Sequence, residues 1–402
     1  MSTKPSVILD IGSYSIKAGL STSYIPDFVL PNAVGRAHRR ISPVFYDHRT
    51  KDIMISDEIK DFRAYLDVSY PMNHGFFENI DDESIVLDYI FRNKLCIDNN
   101  DHPILIAEPF PCVSIESRKR LTEVLFETFN FPMIQIVPQP LLVLYAQGLV
   151  TGIVVDSGHS YTSVVPIAES NLLNHLVGTL DISGNDITER LIQLLAYKGY
   201  VFREASMLPI STRNQKKYFK TIDREFAREM KEKVCFVSVD LENDRQIANE
   251  TTYYAEPFVL PDKQKINISD ERFEAPEILF NPKLIGLDQK GLSDLLYDTI
   301  MKSDINLRHK FFERIVLSGG NTMFPGLPSR LSNDLENMVL NRNNEGEKYT
   351  IIVDIPHTRF LSFEGATVLA KLIEQRANSW VHRMEYDDFG VDNIIRRWQS
   401  LE

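Results

Sequence analysis

Two segments of this chain, 146 residues apart, repeat one short pattern. Val7-Ile8-Leu9-Asp10-Ile11-Gly12-Ser13 and Ile153-Val154-Val155-Asp156-Ser157-Gly158-His159-Ser160 each run an apolar strand into an aspartate, a spacer and a glycine, with a hydroxyl residue within the next two. A second strand-like stretch follows each, so each is expected to form a hairpin that turns at its glycine. One such turn alone is only a tight turn. Two copies behind two strands predict a duplicated fold that grips one nucleotide from both sides. Glycine lets backbone N–H groups approach a polyphosphate, a hydroxyl can donate to its oxygens, and a strand-end aspartate can hold Mg²⁺ through its waters. Lys17 adds a point charge on the return strand of the first hairpin. A third strand and glycine-rich turn, Ile315-Val316-Leu317-Ser318-Gly319-Gly320-Asn321-Thr322, precedes a helix expected near Pro328. Neither GxxxxGK[ST] nor GxGxxG occurs, so neither a Walker loop nor a dinucleotide turn is expected. The pattern predicts ATP in a cleft between two α/β halves.

The rest of the chain agrees with an α/β fold of mixed sheets. Strands are expected at Val7–Ile11, Ile104–Ala107, Ile134–Val137, Ile153–Val155, Ser163–Ile167, Ile315–Leu317 and Ile351–Ile355. Helical stripes run through Leu121, Val124, Leu125 and Phe129; through Leu191, Leu194 and Leu195; and through Leu327, Leu331, Leu335 and Met338. Asp186 with Glu189 reads as a capping box for the second helix, and Gly199 suits its end. The polar runs 36–52 and 205–220 read as solvated surface.

Charge and cysteine content exclude several roles. With 44 Lys+Arg against 56 Asp+Glu, the net charge of −12 argues against general nucleic-acid binding. Cys96, Cys112 and Cys235 are far apart, form no CxxC pair and have no histidine at zinc-ligand spacing, so neither a disulfide scaffold nor structural zinc is expected. No signal-peptide core follows Met1, and the apolar stretch Leu141 to Val155 is broken by Gln147, Gly148, Thr151 and Gly152, so no membrane insertion is expected. A reducing, cytoplasmic or nuclear setting follows by default.

Several longer runs carry a family resemblance. They are Leu180-Asp181-Ile182-Ser183-Gly184-Asn185-Asp186, Met230-Lys231-Glu232-Lys233-Val234-Cys235, Glu271-Arg272-Phe273-Glu274-Ala275-Pro276-Glu277 and Leu317-Ser318-Gly319-Gly320-Asn321-Thr322-Met323-Phe324-Pro325-Gly326. With Asp156-Ser157-Gly158 after Leu144-Tyr145-Ala146-Gln147-Gly148, they make the chain resemble the actin-related proteins almost end to end. Leu66-Asp67-Val68-Ser69-Tyr70-Pro71-Met72, Glu123-Val124-Leu125-Phe126-Glu127-Thr128-Phe129, Tyr145-Ala146-Gln147-Gly148-Leu149 and the Glu274-Ala275-Pro276-Glu277 run resemble more narrowly the member that pairs with actin-related protein 3 in the branched-filament nucleating complex.

The resemblance implies an actin-like ATPase fold with two duplicated lobes and four subdomains around a nucleotide cleft. The first would take 1–33, 70–146 and 361–402; the second 34–69; the third 147–182 and 288–360; the fourth 183–287. It implies ATP and Mg²⁺ as cofactors. Gly12, Ser13, Tyr14, Lys17, Ser157, Gly158 and His159 would lie at the phosphates, with Asp10 and Asp156 near the metal through water. Gly184 would stand at the ribose side, and Lys231 and Glu232 near the base. Gly320, Asn321, Met323 and Phe324 would form the adenosine wall, with Arg359 where the family usually has lysine. Read without the resemblance, Lys231 and Glu232 are a charged helix face, and Met323 and Phe324 are core packing. Partners would be actin-related protein 3 and other subunits of the nucleating complex, actin filaments and nucleation-promoting factors, in the cytoplasmic cytoskeleton.

Three departures bear on turnover. Tyr14 occupies a position commonly glycine; if that position needed positive φ, tyrosine would cost roughly 1–2 kcal/mol. His159 stands where the family places a second carboxylate, and Ser163 where it places a water-positioning histidine. Gln139, the other water-positioning residue, is retained. A nucleotide-binding structural subunit with slow or absent hydrolysis is expected, because such hydrolysis is mainly positioning and charge stabilisation. The alternatives are a subunit of a chromatin-remodelling or dynactin-type assembly, and a small-molecule phosphotransferase. The last would need a substrate-facing general base, and none is evident beyond Asp156.

Overall fold

The computed structural model describes residues 4–37, 52–60, 62–63, 66–111, 114–199, 224–259, 265–342, 348–355, 357–374, 376 and 379–399. Segment 205–220 and Cys112 lie outside these, as does most of 36–52. The chain divides into two compact units, residues 1–154, 165–177 and 358–402 in one and 155–164 and 178–357 in the other.

The first unit is built on β1 (Val7–Ile11), β2 (Ser15–Leu20), β3 (Phe28–Pro31), β9 (Ile104–Glu108), β10 (Met133–Pro138) and β19 (Val381–His382), in the order β19-β10-β9-β1-β2-β3. The core pairs β10-β9-β1 are parallel and β1-β2 is antiparallel. Every residue of β1 and β9 is buried, which explains their unbroken apolar runs. Alternation along β1 divides the core between the two faces of the sheet. Val7, Leu9 and Ile11 pack with Val86 and Leu87 of α1 (Ile80–Tyr89), Leu121 of α2 (Ile115–Glu123) and Ile394 of α12 (Arg383–Gln399). Ile8 and Leu105 pack with Leu142 of α3 (Gln139–Ala146) and Phe363 and Ala366 of α11 (Leu361–Ile373). A Cβ on Gly365 would lie 1.8 Å from the Leu142 carbonyl oxygen, so α11 and α3 meet backbone to backbone there. A small sheet, β5-β4-β6, joins β4 (Val34–Ala37), β5 (Ile53–Ile55) and β6 (Leu66–Ser69), followed by the hairpin of β7 (Met72–Asn73) and β8 (Phe76–Phe77). Arg36, expected in a solvated loop, lies on β4 and pairs with Asp82 of α1. The Leu121–Phe129 stripe is split, with α2 ending at Glu123 and a π-helical turn over Val124–Thr128.

Strands β11 (Gly152–Ser157) and β12 (Thr162–Ala168) each pass from one unit into the other. The short β13 (Asn171–Leu172) pairs with the end of β12 in the first unit. In the second unit β12 pairs with β14 (Gly178–Leu180), and the sheet continues through β11 to β17 (Ile315–Ser318) and β18 (Val353–Asp354). The Ile351–Ile355 strand is thus shorter than expected. Ile352 and Ile355 are exposed at the sheet edge, and only Val353 and Asp354 pair. Around it lie α4 (Gly184–Tyr197), α5 (Arg224–Val234), α6 (Leu241–Glu250), the ribbon of β15 (Glu256–Val259) and β16 (Lys265–Ile268), α7 (Glu271–Glu274), α8 (Leu292–Lys302), α9 (Ile305–Phe312) and α10 (Leu327–Arg342). Leu327, Leu331 and Leu335 are the buried stripe of α10, with Pro328 in its tolerant first turn.

The cap of α4 differs from the sequence expectation. Ser183 is the N-cap, and the Asp186 carboxylate accepts from both its N–H (2.9 Å) and its hydroxyl (2.6 Å). Asp186 is therefore the third helical residue of the box rather than its start. Gly199 ends the helix at φ +88°, as expected.

Candidate functional site

The first loop lies wholly in the first unit. In the β1–β2 register Asp10 faces Lys17, so both side chains leave the same face of the pair. The Lys17 ammonium sits 3.2 Å from Asp10 Oδ2, with Asp10 almost fully buried. The turn closes by Gly12 N–H donating to Ser15 O at 3.2 Å. A Cβ on Gly12 would meet that oxygen at 2.9 Å and Lys17 Nζ at 3.7 Å, a cradle that only glycine leaves open. Ser13 is buried in the turn. Tyr14 is not among the described residues with positive φ, so the strain considered for it does not arise. Its ring lies 6.2 Å from that of Tyr70. Gln139 opens α3 and donates through Nε2 to Asp10 Oδ1 at 2.6 Å and to Ile11 O at 3.1 Å. Asn32, which carries no signal in the sequence, donates its N–H to Tyr14 O at 2.8 Å and its Nδ2 to Gly12 O at 3.3 Å. Arg359 is exposed, its guanidinium over the Phe360 ring at 5.1 Å.

The second loop is held by a chain of side-chain bonds within the second unit. Thr162 Oγ1 donates to Ile182 O at 2.7 Å, so the 2.8 Å contact between Ser157 and Thr162 is made by the Ser157 hydroxyl donating. Asn321 Nδ2 donates to Ser157 Oγ at 3.1 Å and to Gly158 O at 2.7 Å. The Ser157 proton is therefore directed at the protein here. The loop closes by Gly158 N–H donating to Tyr161 O, and the first two N–H groups of α4, from Gly184 and Asn185, donate to Gly158 O and His159 O. Those helix donors, which have no partner within the helix, are consumed by the loop. Gly319, at φ +88°, lets the third turn touch the loop. A Cβ there would lie 2.3 Å from Ser157 O and 2.7 Å from Asp156 Oδ1.

Lys231 is the site's least expected feature. It lies on α5, where the sequence reads as a charged face, yet it is 4% exposed. Its ammonium donates to Gly184 O at 2.7 Å, and among the described residues no carboxylate pairs with it. Burial lowers its pKa to about 8. A Cβ on Gly184 would crowd Asn321 Oδ1 at 2.8 Å and Lys231 Nζ at 3.2 Å. Burial, then Lys231, Arg228 and Arg224, push His159 down to about 4, so it is neutral at pH 7. Glu232 points to solvent and pairs with Arg228 at 3.0 Å. Gly320 and Met323 are exposed, whereas Phe324 is buried, so Met323 is not the core residue its sequence context suggests. Ser163 is fully buried on β12. Among the described residues no group of three or more His, Cys, Asp or Glu is placed to hold a metal, and no helix is long and apolar enough to cross a membrane.

These observations fit a nucleotide. The first loop has a glycine cradle that a Cβ would fill, the second is met by Gly319 with room for no Cβ, and among the described residues the second unit buries a cation without a carboxylate partner. The whole-chain comparison then places the molecule. The Actin family model matches residues 1–399. The chain belongs to the actin family. It is similar to three curated members named actin-related protein 2. With that of Schizosaccharomyces pombe it is 39% identical over 96% of both chains. With that of Acanthamoeba castellanii it is 38% identical over 97% of this chain and 98% of the relative. With that of Saccharomyces cerevisiae it is 38% identical over 97% of both. The actin-like α/β fold expected from the sequence is thereby established, and with it the resemblance to actin-related protein 2. Among the residues that hold the two loops, Asn32 and Thr162 carry no sequence signal, because a polar residue in a strand or linker shows nothing until its partners are placed.

Proposed function

We propose that this chain is an ATP-binding structural subunit of a complex that nucleates branched actin filaments, pairing with actin-related protein 3 to template the first subunits of a new filament. End-to-end similarity to proteins named actin-related protein 2 supports the assembly role. Buried Lys231 beside Gly184, Asn321 and Gly158 is the observation that carries nucleotide binding. In this reading Gly12, Ser13, Tyr14 and Lys17 meet the phosphates from one loop, and Ser157, Gly158 and His159 from the other. Asp10 and Asp156 orient the waters of Mg²⁺, whose part is to neutralise phosphate charge. Lys231 and Glu232 lie toward the base, Gly184 toward the ribose, with Gly320, Asn321, Met323, Phe324 and Arg359 completing the adenosine side. A bound polyanion stabilises the Lys231 ammonium and raises its pKa, so binding offsets the cost of burying it. Four subdomains, actin filaments and nucleation-promoting factors as partners, and a cytoplasmic, cytoskeletal location belong to the same proposal.

Hydrolysis is proposed to be slow or absent. His159 brings no charge where the family has a carboxylate, and Ser163 is a short buried hydroxyl where it has an imidazole. Single-turnover γ-phosphate release should run at least about tenfold below filament actin, a barrier difference of about 1.4 kcal/mol. A rate equal to that of filament actin overturns the slow-turnover reading. Co-purification from the native source should recover actin-related protein 3. Recovery of remodelling or dynactin subunits instead, or ATP-dependent phosphorylation of a small alcohol, overturns the assembly role.

A further inference from the structure

Beneath the first loop lies a buried carboxyl that the nucleotide reading does not use. Glu83, in the first turns of α1, is fully buried, as is Asn32. Asn32 Nδ2 donates to Glu83 Oε2 at 3.0 Å, and the same nitrogen reaches Gly12 O at 3.3 Å, while Asn32 N–H holds Tyr14 O at 2.8 Å. One residue thus joins two carbonyls of the loop to one carboxyl. The far oxygens, Asn32 Oδ1 and Glu83 Oε1, are buried and have no hydrogen-bond partner among the described residues. Both are acceptors when Glu83 is ionised, so the pair lacks a proton. Burial raises the Glu83 pKa to about 7, the bond from Asn32 opposing only in part. The neighbouring charges are committed elsewhere. Asp82 on the same helix pairs with Arg36 of β4, β5 carries no charged residue, and in the helical turn after α1 Arg92 pairs with Asp88 and Lys94 with Asp57. In the loop itself Lys17 is taken by Asp10.

We propose that Asn32 is a positioning residue for the first phosphate loop, and that a proton on Glu83 keeps it in place. This rests on the reading that the loop binds a polyphosphate. Proton loss leaves a buried carboxylate with one donor and, among the described residues, no counter-charge. Opening the pocket to water relieves that cost, and the opening draws Asn32 off the loop carbonyls. The proton leaves to solvent as pH rises through neutrality, so loop order and ATP affinity fall together.

The test is calorimetric titration with Mg-ATP at pH 6, 7 and 8 on the full chain, beside the pH dependence of the Gly12 amide resonance without nucleotide. The wild type should weaken about three- to tenfold across that range beyond any change shared with Glu83→Gln, whose amide stands in for the protonated acid. Titration of the nucleotide, His159 and Lys231 is common to both proteins and cancels in the comparison. Asn32→Ala should bind several-fold more weakly at pH 6 and show the flattened profile. The Gly12 resonance should titrate near neutrality in the wild type and not in Glu83→Gln. Equal pH slopes in wild type and Glu83→Gln overturn the proposal. If no protein binds ATP at any pH, the nucleotide reading fails, and the Gly12 resonance alone decides the coupling. A wild-type Gly12 resonance that does not move overturns the proposal even if the variants fail to fold.

Discussion

The two DxG loops share a sequence pattern but are held by different means. In the first, charge is settled locally, with Lys17 and Gln139 both on Asp10, while the turn leans on Asn32. In the second, the backbone is fixed by neutral bonds through Ser157, Thr162 and Asn321, and the cation, Lys231, is buried without a carboxylate partner among the described residues. A duplicated motif therefore keeps the path of the backbone and leaves its electrostatics to whichever elements pack around it. Packing tightness differs as well. A Cβ at Gly12 meets one oxygen at 2.9 Å, whereas one at Gly319 would sit 2.3 Å from a backbone oxygen at a left-handed φ of +88°.

That steric contrast gives the largest expected effect. Gly319→Ala combines left-handed strain with a backbone overlap that no side chain can relieve, and should cost about 3–4 kcal/mol of stability. Gly12→Ala carries no positive φ, but its Cβ would lie 2.9 Å from the Ser15 backbone oxygen, so the turn must open a little, at about 1–2 kcal/mol. Urea denaturation of both variants measures the difference. Equal losses would show the two turns to be equally tight.

Electrostatics should separate the loops by sign. Burial lowers the Lys231 pKa to about 8 from an ordinary value of 10.5, so folding at pH 7 carries a penalty for its charge. The shift corresponds to roughly 3 kcal/mol at most. Lys231→Met fills the aliphatic volume and loses only the bond to Gly184 O, for a net gain of about 1–2 kcal/mol at pH 7, with ATP binding at least about tenfold weaker. As pH rises from 8 toward 10.5 the unfolded wild type holds a proton that the folded one has lost. Wild-type stability then climbs and the gap to the variant closes. Lys17→Met should do the opposite, costing about 1–2 kcal/mol, because it leaves nearly buried Asp10 without its cation. If both lysine variants change stability in the same direction, the contrast between the loops is broken.

What the sequence shows of this molecule follows from which interactions are local. The β-Asp-x-Gly hairpins are legible because short apolar runs and a turn glycine act within a few residues. Pro328 and Gly199 are legible for the same reason. Lys231 is not, since Ala227, Met230 and Lys231 form the buried stripe of α5 and one position of that stripe is filled by a cation. Its burial is decided by Gly184, 47 residues earlier. The capping box of α4 is displaced by three residues in the sequence reading because Asp186 is both a good N-cap and a good third residue, and only the extended Ser183 backbone decides between them. The Asn32–Glu83 pair, 51 residues apart, carries no local signal.

The smallest expected difference lies in the two side-chain amides, one in each loop. Gln139 Nε2 faces two acceptors, Asp10 Oδ1 and Ile11 O, which fixes the orientation of its amide and turns its oxygen away from the loop. Asn321 Nδ2 likewise faces Ser157 Oγ and Gly158 O. The bond to a carboxylate is intrinsically the stronger, but Gln139 is only half-buried and Asp10 keeps Lys17 when it is removed. Water can enter at Gln139, whereas Asn321 is 5% exposed and its partners would be left dry. Gln139→Ala should therefore cost about 1 kcal/mol and Asn321→Ala about 2 kcal/mol in urea denaturation. The reverse order would mean that Asp10 depends on Gln139 more than on Lys17, making the first loop a neutral-bonded structure like the second.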